Sequence, residues 1–220
     1  ATHDAGPVLN KMLFWHPRGN FGRSEPLVTP KAREFIMRYD DDWIKGRTYV
    51  ERGSVKADVS FFQHLSGFKY WDIEKNSPIE TLVEKGTFVL PEKLPLPETL
   101  DLLTAVKVRL IQGTFDGKPL LALQQVRQFA VLLLSTENTQ LIIAGLASLE
   151  LERRAYREYV DREWIDEAAW LPLNRNATLR ASRTLNATAG YLRAVTHQDT
   201  FRRVFESGKN PFGLCAAANH

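Results

Sequence analysis

The sequence predicts an all-α protein, namely a multi-helix antiparallel bundle of about eight helices with at most one small β-hairpin in its N-terminal part. Apolar residues recur at three- and four-residue spacing, most densely between Pro119 and Trp164. Residues that favour helix starts precede several of these stretches, and the connections between the stretches are short. With 220 residues, 44% of them hydrophobic and 25% charged, the chain is long and apolar enough to bury a core.

Three helix starts are predicted in the N-terminal part. Thr29 followed by Pro30 combines a capping residue with a proline at the first helical position. Ser54 predicts the start of a second helix that ends near Gly67. Residues 77–80, with the sequence Ser-Pro-Ile-Glu, form a capping box and predict a third helix.

The C-terminal part predicts longer helices. The first is expected to end near Gly113 and has an apolar line at Leu100, Leu103, Val106 and Leu110. Two core helices follow, and the second, capped by Ser135 or Thr136, continues to Trp164 with Leu149, Tyr156 and Val160 on its apolar line. A strand-turn-strand over 131–145 is an alternative, because short apolar runs suit either structure. Two further helices are predicted over 174–195 and 196–208.

The chain divides into four parts that we expect to form one compact domain. These are an aromatic-rich helical part over 1–90, a proline-rich connector over 91–97, a helical bundle over 98–208 and a loose tail over 209–220. Residues 1–28 are expected to be irregular. Short strands over 48–50 and 87–90 would supply the hairpin.

Charge is distributed unevenly between two consecutive predicted helices. Residues 150–167 contain seven acidic residues and four arginines, whereas residues 174–203 contain six arginines and one acidic residue. Packed side by side, the two helices would neutralise each other. The alternative is an anion-binding or nucleic-acid-binding face formed by Arg175, Arg180, Arg183 and Arg193. Nucleic acid is not the expected partner, because aromatic residues are not interleaved with these arginines.

One group of residues could carry catalysis. Glu152, Tyr156, Tyr159 and Glu163 lie within about 60° of one another on a helical wheel, beside the apolar line. Two carboxyl groups at the edge of a core can serve as acid and base. The alternative function is therefore a hydrolase in which Glu152 and Glu163 are the acid–base pair and Tyr156 positions the substrate. The structural interpretation is that arginines of the same helix neutralise the carboxylates: Arg153, Arg154, Arg157 and Arg162.

Known catalytic and metal-binding motifs are missing from the sequence. It has no His-Glu-x-x-His, no Glu-x-x-His pair, no Gly-x-Ser-x-Gly and no P-loop. The five histidines are scattered, and Cys215 is the single cysteine. We therefore predict no metal and no cofactor, and no apolar run is long enough to predict a transmembrane segment.

The expected function is that of a non-catalytic α-helical protein-binding module, of the adaptor or inhibitor type, whose partner is another protein. The predicted contact residues combine aromatic rings with arginine, the usual anchors of interfaces. They are Trp15, His16, Arg18, Phe21 and Arg23. Because the chain begins at Ala1 and has one cysteine, a periplasmic or secreted location is expected, with the cytoplasm as the alternative.

Overall fold

The computed structural model describes residues 3–16, 25–38, 53, 55–80, 95–136 and 138–170. The α-helices with both ends in these ranges are α1 (Gly6–Met12), α2 (Pro30–Arg38), α3 (Thr99–Phe115), α4 (Pro119–Leu134) and α5 (Thr139–Asp161). Short 3-10 turns lie at Ser60–His64 and Glu167–Ala169. Two-residue strands, β1 (Trp15–His16) and β2 (Leu96–Pro97), pair antiparallel. The all-α class is confirmed for the described residues, and the count of about eight helices stays a prediction.

Helices α3, α4 and α5 form a three-helix bundle in which each helix packs against the other two. The pairs in contact show the directions. Arg109 of α3 bonds to Gln125 of α4, and a Cβ on Gly113 would lie 2.5 Å from the Cβ of Ala122. Residue numbers therefore rise along α3 as they fall along α4, so the two helices are antiparallel, as their short connection favours.

The N-terminal part covers the remaining side of α4. The rings of Phe61 and Phe62 lie 5.2 and 5.4 Å from the ring of Phe129, in edge-on arrangements. The Gln128 side chain donates to the Phe68 carbonyl at 2.6 Å. The apolar residues of α4 are thus enclosed from all directions, and one continuous core extends from α1 to α5.

Helix α1 was not predicted, because residues 1–28 were expected to be irregular. Its start depends on a distant segment of the chain. One carboxylate oxygen of Asp4 accepts hydrogen bonds from the amides of Gly6 at 2.8 Å and Asp72 at 2.9 Å. A Cβ on Gly6 would lie 2.5 Å from the Asp72 carbonyl oxygen, so glycine is needed there.

Helix α2 begins as predicted, at Pro30, and the Thr29 hydroxyl accepts from the Ala32 amide at 3.3 Å. The predicted helix from Ser54 to Gly67 is wrong, since only the short 3-10 turn Ser60–His64 forms. Backbone pairing with residues 27–29 explains this difference. The Asp58 amide donates to Leu27, and the Thr29 amide donates to Lys56, which fixes 56–58 in an extended conformation.

The capping box at residues 77–80 is confirmed. The Ser77 hydroxyl accepts from the Ile79 amide at 3.1 Å, and the Glu80 carboxylate accepts from the Asn76 amide at 2.7 Å. A helix begins at Pro78. Both ends of the box therefore bond to backbone amides that a helix start leaves without partners.

Helix α3 ends two residues later than predicted. It continues through Gly113 to Phe115, and Gly117, at φ +65°, follows the last turn. Gly113 serves the contact with α4 instead. Glycine has the two roles at different positions: close approach at Gly113 and a left-handed turn at Gly117.

The start of α5 differs from the prediction. Asn138 is the cap, and its side-chain oxygen accepts from the amides of Gln140 and Leu141 at 3.1 and 3.2 Å. The hydroxyls of Ser135 and Thr136 donate instead to carbonyls in the last turn of α4. The strand-turn-strand alternative over 131–145 is wrong, since this region holds the end of α4 and the start of α5.

Several predicted elements lie outside the described residues: the strands over 48–50 and 87–90, the helices over 174–195 and 196–208, and the tail over 209–220. The described end of the connector pairs with the N-terminal part through β1 and β2. The division of the chain into parts stays a prediction. None of the described helices is long and apolar enough to cross a membrane.

Candidate functional site

The most elaborate polar arrangement in the bundle joins Glu152 of α5, Arg127 of α4 and Trp170, which we call the Glu152 cluster. Glu152 is 3% exposed. Arg127 Nε donates to Glu152 Oε2 at 3.2 Å, and Arg127 Nη2 donates to Oε1, so the pair is bidentate. Trp170 Nε1 donates to the same Oε1 at 2.9 Å, and its ring centre lies 4.0 Å from the Arg127 guanidinium carbon.

The rotation of α5 places Glu152 inside. Its buried line includes Ser148, Leu151, Glu152, Ala155 and Tyr159, whereas the predicted line through Leu149, Tyr156 and Val160 is only half-buried. Small residues cause this rotation, because they let α4 approach closely. A Cβ on Gly145 would lie 3.0 Å from the Ala130 carbonyl oxygen.

A reversal after α5 returns the chain to Glu152. The Trp164 amide donates to the Tyr159 carbonyl, and the Glu163 amide donates to the Val160 carbonyl, which is the Schellman pattern. The rings of Trp164 and Tyr159 lie 5.8 Å apart and add the hydrophobic contact of this motif. The Tyr156 hydroxyl then donates to the Glu167 carbonyl at 3.1 Å, which holds the returning segment against α5.

Burial dominates the electrostatics of the interior. It raises the pKa of Glu152, and the hydrogen bonds and charge of Arg127, with the Trp170 hydrogen bond, offset that rise only in part. Burial also raises the pKa of Tyr159, whose hydroxyl donates to the Leu110 carbonyl at 2.6 Å. It lowers the pKa of Arg109, which donates to Gln125 at 2.7 Å. These interior groups therefore have bonding partners within the bundle.

The structure does not bring the predicted acid–base pair together. Eleven residues separate Glu152 from Glu163, which is about 16 Å along a helix axis. Paired catalytic carboxyl groups of glycosidases stand about 5–10 Å apart. Glu163 is exposed, and the Tyr156 hydroxyl bonds to the backbone of the returning segment. The geometry of Glu152 is that of a buried ion pair.

Neutralisation by arginine is confirmed for three carboxylates, with one change of partner. Glu150 bonds to Arg153 and Arg154, and Glu158 bonds to Arg162, all within α5 as predicted. The partner of Glu152 is Arg127 of α4 instead, because Glu152 faces the bundle interior.

Glu163 provides a test of the reversal, because its φ of +56° places a side chain in the left-handed region where glycine is usual. We expect Glu163→Gly to raise the free energy of unfolding above that of Glu163→Ala by about 1 kcal/mol, since both variants remove the charge and only glycine relieves the backbone strain. Urea denaturation of the two variants measures the difference. Equal stabilities would contradict the assigned left-handed conformation.

The predicted partner-binding residues fare differently. Trp15 is 1% exposed, and its indole nitrogen donates to the Asn10 carbonyl at 2.9 Å, so its prediction as a surface contact is wrong. An aromatic residue within an apolar run serves the core equally well, and here the core contains it. The backbone of His16 lies in β1. Arg18, Phe21 and Arg23 lie outside the described residues, as do Arg175, Arg180, Arg183 and Arg193.

Two residues of the Glu152 cluster were missed by the sequence reasoning. Arg127 is the one charged residue of α4, and a lone charge in a helix otherwise apolar or amidic was a usable signal. Trp170 gave none, because its position depends on the reversal after α5. Within the described ranges, no group of His, Cys, Asp or Glu is arranged to hold a metal ion.

The outward face of α5 changes character along its length. Ile143 is 57% exposed, and Leu146 and Ala147, both half-buried, lie within the same arc of about 100°. We call these three residues the apolar α5 face. It borders a small cluster, separate from the main core, in which Leu146 packs with Leu134 and Ile142. Beyond Leu149 the same arc holds Glu150, Arg154 and Arg157.

Comparisons of the chain with models of protein families, with curated proteins and with solved structures gave no match. The argument for function therefore depends on the sequence and on these contacts.

Proposed function

We propose that the protein is a non-catalytic helical binding module that recognises another protein through the apolar α5 face. The observation that carries the proposal is the exposure of Ile143, at 57%, beside the half-buried Leu146 and Ala147. Contiguous apolar residues that a fold leaves exposed mark interaction sites more often than isolated ones. The partner that suits this surface is a protein segment with an apolar helix face.

The charged residues next to the apolar α5 face support this assignment. Glu150 and Arg154 follow it on the same side of the helix and bond to each other at 3.2 Å. A polar rim beside an apolar centre is the usual composition of an interface between proteins. The state of Glu152 supports a non-catalytic function, because a carboxylate that accepts from Arg127 and Trp170 must lose these bonds before it can take a proton.

The test compares two exposed apolar residues in the full-length protein. Ile143→Asp changes the apolar α5 face, and Leu121→Asp changes a residue of α4 that is 41% exposed and lies near the opposite end of the bundle. A partner captured by the wild type from source-cell extract is identified by mass spectrometry, and its affinity for each variant is measured by titration. We expect Ile143→Asp to weaken binding about 100-fold and Leu121→Asp to weaken it less than about threefold.

Two results would overturn the proposal. One is a partner that binds Ile143→Asp as well as it binds the wild type. The other is equal weakening by both substitutions, since that would separate binding from the apolar α5 face. Phe21→Ala, at one of the contact residues predicted from sequence, tests in the same titration whether the N-terminal part contributes.

A further inference from the structure

We propose that the arginine-bearing segment 174–203 docks, within the same molecule, on four acidic residues at the end of α5. We call these residues the acidic turn: Asp161, Glu163, Asp166 and Glu167. The sequence alone predicts that residues 150–167 and 174–203 neutralise each other. The structure identifies which carboxylates remain for that contact.

The other acidic residues of this region have partners already. Arg127 bonds to Glu152, while Arg153 and Arg154 bond to Glu150 and Arg162 bonds to Glu158. The four side chains of the acidic turn are exposed, and no ion pair joins them to a lysine or arginine among the described residues. Their negative charge is therefore concentrated in one exposed turn at the end of the bundle.

The point where the chain leaves the bundle favours docking in the same molecule. Trp170 is fixed beside Glu152 by its hydrogen bond and by the Arg127 guanidinium. From there, four extended residues span about 13 Å, which brings Arg175 within reach of the acidic turn. Fifty residues follow Trp170, and 174–203 holds six arginines and one acidic residue. A tethered segment of opposite charge acts at a high effective concentration.

Docking also gives the arginines a role that does not involve nucleic acid. If the acidic turn holds them, an added polyanion must compete with it for Arg175, Arg180 and Arg183. The affinity of the wild type for a polyanion is then lower than that of a variant whose acidic turn is reversed in charge.

The experiment is a charge-swap cycle in the full-length protein. Asp161→Lys with Glu163→Lys reverses the acidic turn, and Arg180→Glu with Arg183→Glu reverses the segment. Hydrogen exchange at low salt is followed in residues 174–203. We expect exchange to become about tenfold faster with either pair alone and to return within about twofold of wild type when all four substitutions are combined. Glu74→Lys, at an exposed acidic residue of the N-terminal part, is the matched control and should have no effect.

A second measurement uses single-stranded DNA of 24 nucleotides as a polyanion probe, at low and at physiological salt. We expect the Asp161→Lys, Glu163→Lys variant to bind the probe more tightly than the wild type by about tenfold at low salt. Equal affinities would show that the arginines face solvent and would overturn the proposal. So would exchange rates in 174–203 that the acidic-turn substitutions leave unchanged, or four-residue variants that are no better protected than the two-residue ones. These readouts do not depend on the apolar α5 face, so this proposal and the proposed function can fail separately.

Discussion

Arg127→Met is expected to lower the free energy of unfolding by about 3 kcal/mol at pH 7, because it leaves the Glu152 carboxylate buried without its charged partner. Methionine keeps most of the volume of the arginine side chain, so the loss reports the charge and its hydrogen bonds. The contact with the Trp170 ring also changes, since the cation above it is removed. Urea denaturation followed by circular dichroism measures the difference.

The same variant should lose stability as the pH rises. Burial already raises the pKa of Glu152 above its ordinary value of 4.5, and Arg127 opposes this rise. Without Arg127 the folded-state pKa rises further, so above pH 4.5 the folded protein keeps a proton that the unfolded chain releases. Stability is therefore highest below that pH and falls as the pH rises through the folded-state pKa. The deficit of Arg127→Met relative to wild type should be smaller at pH 5 than at pH 8.

Two controls separate burial from pairing. Arg153→Met removes an ion pair with Glu150 whose side chains are 35% and 40% exposed, and it should cost less than about 1 kcal/mol. Glu152→Gln keeps an oxygen that accepts from Arg127 and Trp170 and removes the buried charge, so it should also cost less than about 1 kcal/mol. If Glu152→Gln cost as much as Arg127→Met, the dominance of burial in the Glu152 cluster would be wrong.

The Glu152 cluster shows which part of a site the sequence can predict. The spacing of apolar residues placed Glu152 at the edge of the buried line of α5, and it lies just inside that edge. The partner depended on a rotation of α5 by about one residue, which small side chains such as Gly145 and Ser148 permit. Such a rotation is a property of two packed helices, and the periodicity of one helix does not contain it.

The fold follows the same rule. Helices with strong internal signals, such as α2 and α4, begin at the predicted residues, because their first residues carry the signal themselves. Predictions fail where the backbone partner is distant in sequence. Residues 56–58 are extended because they bond to 27–29, and α1 begins where Asp4 bonds to Asp72. Local propensity cannot indicate either partner.

Asn10→Ala is expected to have an effect as large as that of Arg127→Met, about 3 kcal/mol of lost stability, because it removes a buried connection between distant segments. Asn10 is fully buried in α1. Its side-chain nitrogen donates to the Lys75 carbonyl at 2.8 Å, and its side-chain oxygen accepts from the Trp71 indole at 2.8 Å. Alanine leaves both groups without partners and adds a cavity.

A double-mutant cycle with Trp71→Phe isolates the side-chain hydrogen bond. Phenylalanine keeps most of the ring and removes the indole donor, so in that background Asn10→Ala leaves one polar group fewer without a partner. We expect its cost there to be smaller by about 1–2 kcal/mol, measured by urea denaturation. Additive losses would contradict the bond. Asn138→Ala, which removes the cap of α5, is the matched control and should cost about 1 kcal/mol in either background, because Asn138 and Trp71 share no partner.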